Sequence, residues 1–89
     1  MFDKEGMSKW FVYMLRCADD TLYTGITTDV ARRVKEHNGE IKGKGAKCTR
    51  ARRPVKLVYQ ETCADRSAAG KREWEIKQFS RAEKDALIK

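Results

Sequence analysis

No stretch of this sequence approaches the roughly 20 consecutive apolar residues that a membrane-spanning helix needs. The first nine residues lack the apolar segment of a secretory signal and carry Asp3 and Glu5 instead. They read as a loose lead-in, with Met7 as an alternative start. Cysteine is sparse and odd in number: Cys17, Cys48 and Cys63 are too widely spaced for a zinc knuckle or a redox motif. Reduced structural thiols in a cytoplasmic protein are therefore expected, not a disulfide framework. Internal repeats and linker-like composition are missing too, and 89 residues fit one domain, placed at residues 10–89. A hydrophobic fraction of 40% excludes a disordered chain.

Negative charge is scarce in one region. From Arg32 to Lys56 stand two acids, Glu36 and Glu40, against ten basic residues. That window carries +8, and the rest of a chain with net charge +7 sums to −1. Positive charge gathered in this way is the electrostatic footprint of a polyanion binder. Nucleic acid is the expected partner, through Arg32, Lys35, Lys42, Lys44, Lys47, Arg50, Arg52 and Arg53. A merely solubilising surface is the plain alternative. An anionic membrane fits less well, because no amphipathic helix with bulky apolar residues accompanies the charge.

Hydrophobic patterning then orders the chain. Trp10 to Cys17, WFVYMLRC, is almost continuously apolar, as in a strand covered on both faces. Ala18-Asp19-Asp20 signals a turn, and Thr21 to Ile26 a second strand, so the two should form an antiparallel hairpin. Thr27-Thr28-Asp29 offers N-cap oxygens for a helix from about Val30 to Asn38, buried along Val30 and Val34 and ended at Asn38-Gly39. Gly39 to Pro54 reads as a long basic loop. Val55 to Thr62 is a third strand. Asp65 and Ser67 can cap a second helix to about Phe79, and Ser80 a third to Leu87. The order β-β-α-β-α-α predicts an α+β fold, a three-stranded, mostly antiparallel sheet flanked by helices.

Three features stand out chemically. Glu73 lies four residues after Ala69 and three before Ile76, on the stripe expected to face the sheet. A carboxylate there needs a cation, either an arginine or a metal ion such as Mg²⁺. Arg33 and His37, the only histidine, are one helical turn apart. Arg33 can grip a phosphate, and His37 can donate to it or help move a proton, although a lone histidine is commonly just a helix-end residue. Tyr13 and Tyr23 sit one on each hairpin strand; such phenols usually pack, and act as bases only when cations or hydrogen bonds lower their pKa.

Taken in order, these residues resemble the GIY-YIG nuclease family. Its two name-giving motifs correspond to Phe11-Val12-Tyr13 and Tyr23-Thr24-Gly25, with Arg33 eight residues after Gly25, His37 four further on, and Glu73 within REWEIKQ. The resemblance covers about Trp10 to Leu87 and is nearest to the small stand-alone bacterial members, with YTGITTDVARRVKEHN its most specific stretch. Phe11 stands in place of the first glycine and Thr24 in place of an isoleucine, and the asparagine that several catalytic relatives carry after the glutamate is missing. The resemblance implies a divalent-metal endonuclease serving DNA repair, recombination or processing. Glu73 would hold one Mg²⁺ or Mn²⁺, Tyr13 or Tyr23 would be the general base, Arg33 would stabilise the transition state and His37 would assist. Gly25 would leave space where phosphate or a helix approaches the strand. Tyr13, Tyr23, Arg33 and Glu73 are expected to converge on one side of the sheet. DNA is favoured over RNA, and the small size suggests weak intrinsic specificity or dependence on a dimer or a protein partner. The competing function is a non-catalytic DNA- or RNA-binding module of the same fold.

Overall fold

The WFVYMLR run becomes strand β1 (Trp10–Arg16), and its burial shows why it is apolar throughout. Val12, Tyr13, Met14 and Leu15 are each at most 1% exposed. Successive side chains of a strand point to opposite faces, so Val12 and Met14 enter one core and Tyr13 and Leu15 the other. Only a strand with neighbours on both sides and layers on both faces buries four consecutive residues. In a computed structural model, which describes residues 9–39 and 53–89, β1 is that strand.

Strands β2 (Leu22–Thr27) and β3 (Lys56–Cys63) pair on either side of β1 in the order β2-β1-β3, both antiparallel. The β1–β2 turn closes with Cys17 N–H donating to Thr21 O at 2.8 Å, and Asp20 takes a left-handed φ of 69°. Asp19 accepts from the Thr21 hydroxyl at 2.6 Å, which holds the turn shape. A register shift between Met14 and Leu15 interrupts the pairing with β3.

Helix α1 (Val30–His37) covers one face, with Val30 and Val34 against Tyr13 and Leu15. Helices α2 (Arg66–Lys77) and α3 (Arg81–Ile88) cover the other, with Ala69, Ile76, Leu87 and Ile88 against Val12 and Met14. All three start on the caps read from the sequence. Asp29 accepts from Arg32 N, Asp65 from Ala68 N, and Ser80 forms a reciprocal capping box with Glu83. The expected α+β architecture is therefore the observed one, with the sheet wholly antiparallel. Strand and helix ends differ from expectation by a residue or two. Cys17 and Cys63 are free and buried. No helix among the described residues is long and apolar enough to cross a membrane.

Candidate functional site

The candidate site starts from one glycine. In the β1–β2 register Tyr13 lies opposite Gly25, so both occupy the same face. A Cβ built on Gly25 would stand 2.7 Å from the Tyr13 hydroxyl and 2.9 Å from its ring carbon Cζ. The space left by Gly25 is therefore filled by the Tyr13 phenol, not by phosphate or a helix as the sequence suggested. The reason is register: the cross-strand neighbour claims the gap first. Because the phenol is buried, it has nowhere to yield. Gly25→Ala is expected to cost about 1–3 kcal/mol, as overpacking does, measured as a lower denaturant midpoint. An unchanged midpoint would mean that the Tyr13 ring does not lie over Gly25.

The phenol ends against α1. Tyr13 Oη and His37 Nε2 are 2.9 Å apart in the interior. Tyr23 stacks beside both, its ring centroid 6.3 Å from Tyr13 and 5.0 Å from His37. The positive charge of Arg33 also acts on the Tyr13 hydroxyl.

Burial sets the protonation of this pair. Desolvation is the main cause that pushes the Tyr13 phenol up to about 12; Tyr23 and Glu73 add to it, while Arg33 opposes it. Desolvation also pushes the His37 imidazole down to about 4, helped by the positive charges of Arg33 and Arg53, with Glu36 opposing. Both groups are neutral at pH 7. His37 is fully buried, its Nε2 against the Tyr13 hydroxyl.

Cations surround this buried pair. Arg33 donates to Glu36 at 2.9 Å, and Arg32 to the other oxygen of the same carboxylate at 3.1 Å. The Glu36 carboxyl is held below its usual range chiefly by the hydrogen bond from Arg33. Arg53 donates from Nε to the His37 carbonyl at the C-terminus of α1, where the helix dipole favours a cation. Its side chain crosses Gly39, where a Cβ would come within 2.8 Å of Nη1 and where φ is +78°. Asn38 fixes this return of the chain. Its amide exchanges two hydrogen bonds with the Val55 backbone, at 3.1 and 2.7 Å. Glu36, Asn38 and this role of Arg53 were not picked out from sequence. The Arg32–Glu36 spacing was legible as a helical i,i+4 pair, whereas the partners of Asn38 and Arg53 are distant in the chain.

Of the residues expected to bind phosphate, Arg32, Lys35 and Arg53 are exposed. Lys42, Lys44, Lys47, Arg50 and Arg52 lie outside the described residues. Tyr13, Tyr23, Arg33 and His37 are brought together on one face. The helix that carries Glu73 packs on the other face, because Ala69 and Ile76 dock against Val12 and Met14. Glu73 nevertheless acts on the Tyr13 hydroxyl through its charge, and its carboxylate pairs with Lys77 at 3.0 Å, not with an arginine. At 24% exposure its side chain is open to water. Among the described residues no group of three or more His, Cys, Asp or Glu is placed to hold a metal ion. One hydrated carboxylate is nonetheless the kind of donor that Mg²⁺ accepts, since this ion keeps several waters and takes phosphate oxygens.

This chain has counterparts among known proteins. Residues 9–85 match the GIY-YIG catalytic domain. A UPF0213 protein of Desulfotalea psychrophila is 62% identical over 80 residues, covering 90% of this chain and 71% of that protein. A UPF0213 protein of Staphylococcus haemolyticus is 52% identical over 82 residues, covering 92% of this chain and 96% of that protein. The solution NMR structure of a UPF0213 protein from Bacillus halodurans is similar at a TM-score of 0.56 and 42% identity, over 90% of this chain and 82% of that one.

Proposed function

We propose, from the premise that the chain belongs to the GIY-YIG family, that it is a nucleic-acid-binding domain that grips phosphates along α1 and the segment returning to β3. The family relationship supports a nucleic-acid-related role. The observation that carries the finer reading is the positive field around His37. Arg33, one turn before His37 on α1, and Arg53, which donates to the His37 carbonyl, both put positive charge near the buried imidazole and help desolvation hold it unprotonated. Arg32 and Lys35 extend that charge along the exposed side of α1. Helix-borne cations at fixed spacing suit a phosphate backbone.

Phosphodiester cleavage is the second reading, favoured by the packing of Tyr13, Tyr23, Arg33 and His37 into one cluster. A bound Mg²⁺ or Mn²⁺ on Glu73 would supply charge stabilisation at the leaving oxygen. Arg33 would neutralise charge on the phosphate, and Tyr23 is the better candidate base because it is partly exposed where Tyr13 is not. Binding ranks first because two of the acid–base candidates are locked to each other, with pKa values of about 12 and about 4, and a proton carrier works best near the ambient pH.

Two substitutions separate the readings. In the binding module, Arg33→Ala weakens oligonucleotide affinity and Glu73→Gln leaves it unchanged or slightly tighter. In an enzyme, both also lower a metal-dependent cleavage rate by about 10²–10³, the typical loss of one preorganised group. Cleavage by wild type that Glu73→Gln abolishes while binding persists would move catalysis to first place.

A further inference from the structure

Helix α1 carries one acid, Glu36, and it stands among the cations proposed to grip phosphate. One carboxylate oxygen accepts from Arg33 Nη1 at 2.9 Å and the other from Arg32 Nε at 3.1 Å. The Arg32 side chain is 62% exposed, and those of Arg33 and Glu36 are 24% and 15% exposed. A carboxylate on a phosphate-binding helix repels the ligand that the helix is there to hold. On charge alone Glu36 is a liability, so its geometry decides what it does.

Consecutive residues of a helix point about 100° apart, so Arg32 and Arg33 do not face each other. On their C-terminal side, the position that neighbours both is four residues after the first and three after the second. Glu36 holds that position. Its two oxygens therefore draw two diverging guanidiniums together. The Arg32 bond runs through Nε, which leaves both terminal nitrogens beyond the carboxylate. Those nitrogens form the planar fork that matches two phosphate oxygens. The other bond holds Arg33, whose charge also acts on Tyr13 and His37. Glu36 thus ties the exposed arginine to the one beside the tyrosine cluster.

We infer that Glu36 is a positioning residue, a splint that sets Arg32 beside Arg33 so that the pair meets a phosphate backbone already ordered. This rests on the proposal that α1 grips nucleic acid, and adds how the grip is set. It reverses the sign expected from charge. Removing the acid makes the helix more positive, which by itself tightens binding to any polyanion. Removing a splint loosens Arg32, which must then be ordered on binding. Ordering one long side chain costs about 2- to 10-fold in affinity. The charge effect shrinks with salt, since surface charges are screened over about 8 Å at 0.15 M, whereas the ordering cost does not.

The test is fluorescence anisotropy with a labelled duplex oligonucleotide, in EDTA, at the same salt concentrations for every protein. Wild type, Glu36→Gln, Arg32→Lys, Arg32→Gln and the double variant Arg32→Gln/Glu36→Gln are compared, each first checked for unchanged circular dichroism. Glu36→Gln should weaken binding by about 2- to 10-fold although it removes a negative charge. Arg32→Lys, at an exposed position and with Glu36 intact, keeps the charge but loses the fork, and should weaken binding similarly. In the Arg32→Gln background, Glu36→Gln should cause no further loss, because the splint acts through that arginine. Glu36→Gln that binds as tightly as wild type or tighter would overturn the splint while leaving phosphate binding along α1 standing. So would an equal loss with and without Arg32, or Arg32→Lys at wild-type affinity. If wild type binds no oligonucleotide at low salt, the chain is no nucleic-acid binder and both conclusions fall.

Discussion

Raising salt from 50 to 200 mM should weaken oligonucleotide binding about 100-fold. The figure follows from counterion release: each phosphate neutralised contributes about −0.9 to the slope of log K against log salt on duplex DNA, and about four contacts give this loss. The described cations available for such contacts are Arg32, Lys35, Arg53 and Lys56, all exposed. Replacing Arg32 and Lys35 by glutamine should reduce the slope by about 2 and weaken all sequences alike, since phosphate contacts carry no base information. Arg53 is a poorer probe, because its bond to the His37 carbonyl also anchors the end of α1. Neutralising Lys42, Lys44 and Lys47 together should lower the slope further. Isothermal titration across four salt concentrations measures this directly. A flat salt dependence would show that the positive region meets something other than a phosphate backbone.

Acid should unfold the protein well before its carboxylates alone would explain it. The His37 imidazole titrates at about 4 in the folded state and near its ordinary 6.5 once exposed. Between those values the unfolded chain binds the extra proton, so stability falls as pH falls. The contribution is fully present above 6.5, is lost progressively down to 4, and amounts to on the order of 2–3 kcal/mol. The Tyr13 phenol gives the mirror image. Its folded pKa of about 12 lies above the ordinary 10, so its contribution is full below 10 and is lost as pH rises through 12. His37→Gln should remove the dependence between pH 4 and 6.5 and cost about 1–3 kcal/mol at pH 7, as damage to a buried hydrogen-bonded pair does. Urea unfolding at pH 7.5, 5.5 and 4.5 tests both. Parallel pH curves for wild type and His37→Gln would mean that His37 is not held neutral in the interior.

The elements were legible because their signals are local. Asp29, Asp65 and Ser80 stand at helix starts as short polar caps, and the unbroken apolar run of β1 marks a strand between two layers. The site was legible as a set of residues and not as an arrangement. His37 looked like a lone helix-end histidine because its partner, Tyr13, is 24 residues away. Gly25 suggested room for a ligand because only the β1–β2 register places the Tyr13 ring over it. Glu73 was read correctly as near the apolar stripe of its helix, but the stripe docks on the face opposite α1, and no spacing along the chain reveals which face of a sheet a helix takes.

The central claim, that this domain holds nucleic acid by a phosphate-gripping surface and not chiefly by cutting it, is tested most directly on wild-type protein alone. Labelled single-stranded, duplex and branched DNA and RNA are incubated with it at low salt in Mg²⁺, Mn²⁺ and EDTA, and each sample is split between a binding measurement and a denaturing gel. The account predicts binding in all three conditions with the strands intact. Absence of binding at low salt, or metal-dependent cleavage of any substrate in the panel, would contradict it.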